Sequence, residues 1–151
     1  MKRFEGLDDF EGAVGSHMGF SNWHTVNQEL VNQFADLTGD NQWIHVDSER
    51  AVSGPFGRTV VHGYLTLSLI PKMMWQIYKV DGLRMGINYG SDRVRFPAPL
   101  LVGSEVRAGA ELLTLTRLSN GARSHVRVTV ETAGGDKPVC VAEVVSLLVD
   151  K

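Results

Sequence analysis

The stretch Tyr64-Leu65-Thr66-Leu67-Ser68-Leu69-Ile70-Pro71-Lys72-Met73-Met74-Trp75-Gln76-Ile77-Tyr78 decides the fold. Leu65, Leu67, Leu69, Ile70, Met73, Met74, Trp75 and Ile77 cover nearly the whole circumference of a helix, and a helix that is apolar all round is a buried one. Pro71 removes a backbone donor from its interior, which predicts a bend or a restart there. Such a helix needs something large and flat around it.

The second half of the chain supplies that wrapper. Leu83 to Asn88, Glu105 to Leu118, Arg123 to Thr132 and Val139 to Val149 read as strands. Val126, Val128 and Val130 alternate with Arg127, Thr129 and Glu131, the pattern of a sheet with one buried face. Ser119-Asn120-Gly121 and Gly134-Gly135-Asp136-Lys137-Pro138 are turn signals between the last three strands. Helices first and antiparallel strands last predict an α+β fold: a long central helix wrapped by a curved antiparallel β-sheet, the hot-dog architecture. With no repeat, low-complexity tract or linker, residues 1–151 read as one domain.

Upstream of the buried helix, residues before His17 read as a short helix or a loose lead-in, and Met18 to His24 as an edge strand. Thr25 followed by Gln28 reads as a capping box opening a helix to about Thr38, with Val26, Leu30, Phe34 and Leu37 on its apolar face. Gly39 falls where a helix ends on a left-handed residue. Asp40 and His45 follow in a short irregular segment, and Asp47-Ser48 offers a cap for a second short helix.

Fifteen Lys and Arg against seventeen Asp and Glu give a net charge of −2, so there is no electrostatic footprint for nucleic acid. No apolar run is long enough to span a membrane, and Met1-Lys2-Arg3 leads into acidic residues rather than a signal sequence. The single cysteine, Cys140, excludes an intrachain disulfide and suits a reducing, cytoplasmic setting. Cys140 sits in a strand pattern and reads as a buried, inert thiol. No His-Glu-x-x-His or Cys/His metal spacing, nucleophile elbow or phosphate-binding loop occurs, so no metal and no cofactor is expected.

What remains for chemistry is the carboxylate and imidazole of Asp40 and His45. Asp40 lies just beyond a helix C-terminus, where the macrodipole disfavours added negative charge; with burial, that placement favours a proton-accepting carboxylate. Trp43 and Ile44 between the two predict a partly buried segment. His62-Gly63 opens the buried helix, whose first N–H groups can stabilise developing negative charge. His62 itself reads more readily as a packing or hydrogen-bonding imidazole than as a second catalytic one.

Three stretches carry a resemblance. Thr38-Gly39-Asp40-Asn41-Gln42-Trp43-Ile44-His45-Val46-Asp47 resembles the hydratase motif of the MaoC-like, R-specific enoyl-CoA hydratases. Phe56-Gly57-Arg58-Thr59-Val60-Val61-His62-Gly63-Tyr64-Leu65 and Val94-Arg95-Phe96-Pro97-Ala98-Pro99 with Val102-Gly103 resemble that family's second and third signatures. Gln42 and Trp43 depart from the Asn and Pro of many members; with Asn88-Tyr89-Gly90 they are similar to the nodulation protein N-like branch. The resemblance implies a hydro-lyase with Asp40 and His45 as catalytic pair, and with Gly63, Gln42 and His62 in oxyanion or substrate binding. The implied reaction is syn hydration of a trans-2-enoyl thioester, carried on CoA or acyl carrier protein, or the reverse dehydration. A thioesterase on the same fold and a non-catalytic acyl-thioester-binding subunit are the alternatives. The second of these turns on whether Asp40 and His45 face one cavity. An exposed sheet edge further predicts a homodimer.

Overall fold

In the computed structural model, which describes residues 1–151, the chain runs β1 (Lys2–Phe4), α1 (Leu7–Glu11), β2 (His17–Phe20), β3 (His24–Thr25), α2 (Gln28–Thr38), α3 (Trp43–Val46) and α4 (Ser48–Val52). It continues through α5 (Gly63–Ser68), α6 (Ile70–Ile77), β4 (Tyr78–Val80), β5 (Leu83–Arg95), β6 (Glu105–Leu118), β7 (Gly121–Thr132) and β8 (Cys140–Asp150). The main sheet has the order β2-β6-β7-β8-β5, with β3 beside β6, and all these pairings are antiparallel. A separate parallel pair joins β1 to β4. The fold is hot-dog, with α5 and α6 as the central helix.

The alternation in β7 does what its pattern predicts. Val126, Val128 and Val130 are buried, and across the ladders they face Leu112, Ala110 and Ala108 on β6 and Val144, Ala142 and Cys140 on β8. Alanines in the middle of this face leave depth for the helical layer, and Leu65, Ile70, Met73 and Ile77 enter the same core. On the other face, Arg127 lies between Glu111 and Glu143, and Arg107 pairs with Glu131, all of them half-buried.

The restart expected at Pro71 is present: α5 and α6 meet at Leu69, and Pro71 stands in the first turn of α6, where its missing N–H costs nothing. Several other sequence expectations are corrected. Burial is a stripe, not a circumference: Trp75 is 76% and Tyr64 71% exposed, because the sheet covers only one side. The cap of α2 is Asn27, whose side chain accepts from the Leu30 N–H, so the capping box from Thr25 to Gln28 does not form. Val31 and Ala35 form the buried stripe of α2, whereas Leu37 is 83% exposed. The expected edge strand Met18 to His24 is two short pieces, β2 and β3. The lead-in forms β1 and α1, which buries Leu7 and Phe10.

β5 runs on to Arg95, well past Asn88, with register shifts around Tyr89 and between Ser91 and Val94. Bulges of this kind break the two-residue period and hide a strand from pattern reading. Apart from half-buried Leu83 and Val94, every residue of β5 is exposed.

Two core groups set an alkaline limit. Burial pushes the Tyr78 phenol, stacked on Phe10 at 5.3 Å, up to about 12, and the Cys140 thiol up to about 11. Both are acids that the fold keeps neutral. Their stabilisation is complete below the unfolded values of 9.0 and 10.0 and is lost as pH rises through 11 to 12. The unfolding free energy, and with it the urea midpoint, is expected to fall between about pH 9 and 11, by on the order of 2 kcal/mol for Cys140. Tyr78→Phe should flatten the higher part of that decline; a midpoint constant to pH 11 in the wild type would contradict it.

Candidate active site

The site is assembled from the three signature stretches. Helix α2 ends at Gly39, whose φ of 77° is left-handed and whose N–H closes on the Ala35 carbonyl at 2.8 Å. The chain turns there and presents Asp40. The segment after it, expected to be irregular, is the single turn α3, which carries His45 on its buried side. Asp47 caps α4 as expected, its carboxylate accepting from the Arg50 N–H at 3.0 Å.

His45 is held from three directions. Its Nδ1 lies 2.6 Å from the Val60 carbonyl. A carbonyl can only accept, so Nδ1 carries the proton and the neutral ring keeps its lone pair on Nε2. Its own carbonyl accepts from Gln28 Nε2 at 2.7 Å, and Gln28 Oε1 accepts from the buried Thr59 hydroxyl at 2.6 Å. The Val60 N–H in turn reaches the Ile44 carbonyl at 2.9 Å. Thr59 to Val61 is itself pinned alongside the third signature by Val61 N–H to Leu100 O at 2.8 Å and Val102 N–H to Thr59 O at 2.9 Å. Gln28 and Thr59 are supports that sequence reading missed. Gln28 looked like half of a capping box, and nothing local marks a partner 31 residues away.

One ligand-type atom from each of Asp40, His45 and His62 lies within 4.8 Å of the others. Two hydrogen bonds of about 2.8 Å span up to about 5.6 Å, so the Asp40 carboxylate and the His45 ring lie within the reach of a single bridging water. The two imidazoles stack, with centroids 3.8 Å apart and planes at 23°. Stacked rings aim their lone pairs side by side rather than at a common point, which suits proton transfer better than a metal cage.

The remaining predicted residues separate. Asp40 is exposed, so the burial expected for it is absent in the single chain. Its backbone is tied instead, with its carbonyl accepting from His62 Nε2 at 3.0 Å. His62 is 2% exposed. Gln42 is exposed and precedes α3 without a side-chain cap bond. Gly63 opens α5, and the ring of Phe96 covers it so closely that a Cβ there would lie 2.9 Å from ring carbons. The Trp43 indole packs against Gly54 and under the Arg50 guanidinium, 4.4 Å from its ring centroid. Cys140 is fully buried in the core.

Comparison with known proteins identifies the family. The profile of the MaoC like domain matches residues 9–135. A 3-hydroxyacyl-thioester dehydratase Z of Mycobacterium tuberculosis is 52% identical over 144 residues, covering 95% of each chain. Nodulation protein N of Rhizobium meliloti is 41% identical over 145 residues, covering 93% of this chain and 89% of its own. Among solved structures, the (R)-hydratase from A. caviae involved in PHA biosynthesis superposes with a TM-score of 0.73 at 27% identity, covering 89% of this chain and 96% of its own. The chain therefore belongs to the MaoC-like dehydratase family and is a hydro-lyase built on the hot-dog fold.

Proposed function

We propose that the chain is an (R)-specific enoyl-thioester hydratase of fatty-acid metabolism, adding water syn to trans-2-enoyl thioesters of CoA or acyl carrier protein, or removing it from (R)-3-hydroxyacyl thioesters. The observation that carries this reading is the Asp40–His45 pair at water-bridging separation, with His45 Nδ1–H donating to the Val60 carbonyl, the tautomer that puts the lone pair of a neutral ring on Nε2. Water held between the two loses a proton to His45 Nε2 as its oxygen attacks the β-carbon. The π electrons move to the thioester oxygen, where the Gly63 N–H at the start of α5 offers a donor. The pair then returns a proton to the α-carbon from the same side, so the hydroxyl and hydrogen add to one face. The dehydratase and hydratase names of the relatives support this chemistry, and a cytoplasmic location suits the lone buried thiol.

The test is hydration of crotonyl-CoA, followed by loss of its conjugated absorbance and by chiral analysis of the product. Formation of the (R)-3-hydroxyacyl thioester is expected; an (S) product or free CoA alone would overturn the assignment, the latter in favour of a thioesterase.

The partner in this reading, besides the thioester, is a second copy of the chain. β5 is a long sheet edge with Met85, Ile87 and Tyr89 all more than 40% exposed, a surface that edge-to-edge pairing would cover. Phe96, just past the end of β5, packs on Gly63, so a partner along this edge lies beside the site. Light scattering should give a mass of two chains; a monomer at working concentration would count against the pairing.

A further inference from the structure

His62 touches both members of the pair. Its Nε2–H donates to the Asp40 carbonyl at 3.0 Å, and its ring stacks on His45 at 3.8 Å. Because a carbonyl accepts, the proton sits on Nε2 and the lone pair on Nδ1. That Nδ1 is buried without a partner, and a buried unpaired acceptor weakens folding. A phenyl ring here would keep the stack and remove the orphaned atom. What the imidazole adds over a phenyl ring is therefore the bond to the Asp40 carbonyl.

Asp40 and His45 differ in how they are held. His45 has Val60 and Gln28 on it, independent of His62. Asp40 follows the end of α2 and is exposed; apart from His62, its backbone has a long 3.4 Å contact from its N–H to the Thr38 hydroxyl. The bond from His62 is thus the shorter restraint on the turn that carries the carboxylate.

We infer that His62 is a positioning residue for the hydration: it ties the Asp40 backbone to the plane of the His45 ring and so fixes the separation across which the pair holds water. The inference rests on the hydratase reading. A group that only positions another acts on the bound complex, so its loss lowers kcat and leaves KM largely unchanged.

Two variants separate the tie from the stack. His62→Phe keeps an aromatic ring on His45 and loses the donor; His62→Gln loses the ring and keeps an N–H of similar reach. Kinetics with crotonyl-CoA and urea unfolding are measured on both. His62→Phe should lower kcat by about 30-fold, with KM within about twofold and an unfolding midpoint no lower than that of the wild type. His62→Gln should recover part of the lost kcat. A kcat for His62→Phe within about twofold of the wild type overturns the role, as does His62→Gln no faster than His62→Phe, or a loss of rate that merely tracks a loss of stability. An inactive wild type overturns the hydratase reading itself and this role with it.

Discussion

His45→Gln and Asp40→Asn are each expected to reduce kcat for enoyl-thioester hydration by about 10³-fold, which is roughly 4 kcal/mol of transition-state stabilisation. Glutamine at 45 can still donate to the Val60 carbonyl that now lies 2.6 Å from Nδ1, so the α3 turn keeps its anchor. What it lacks is a basic nitrogen in the place of Nε2. Asparagine at 40 matches aspartate in shape, and at an exposed position it leaves the core untouched. Asp40→Asn should therefore change the unfolding free energy by no more than about a few tenths of a kcal/mol, so its loss of rate cannot be blamed on unfolding. Because the two groups act on one water, removing both should cost little more than removing either. Wild-type rates in both single variants would sink the assignment of the pair.

Gly63→Ala is the second large effect, expected to lower kcat by about 10²-fold. Alanine is a better helix former than glycine, and Gly63 has no positive φ to strain it, so local stability argues for the substitution. The obstacle is Phe96, three of whose ring carbons lie within 3.0 Å of the added Cβ position. Either the ring leaves or the start of α5 retreats, and both alter the surface that meets the thioester beside the Gly63 N–H. Adding Phe96→Ala to Gly63→Ala distinguishes the two. Recovery of rate in the double variant assigns the loss to displacement of the ring; no recovery assigns it to the space the substrate needs above the Gly63 backbone. Full activity of Gly63→Ala alone would remove Gly63 from the site.

The elements legible in the sequence are those whose energetics are local. β6 occupies the predicted Glu105 to Leu118, and β7 buries the predicted valines, because alternation is a property of neighbouring residues. Gly39 ends α2 and Asp47 opens α4 as expected, since a cap needs only the backbone three or four residues away. Pro71 restarts the central helix for the same reason. The motif residues could be named, but their arrangement could not. The bonds that hold His45 and Asp40 cross 15, 17 and 22 positions of chain, to Val60, Gln28 and His62. The contact of Phe96 on Gly63 likewise exists only once β5 and α5 are packed. Exposure of Trp75, Tyr64 and Asp40 also depended on what the sheet left uncovered. Periodicity records which residues share a face, whereas only tertiary packing decides what that face meets. Here it turns a carboxylate and an imidazole five residues apart into a pair at the distance of one water.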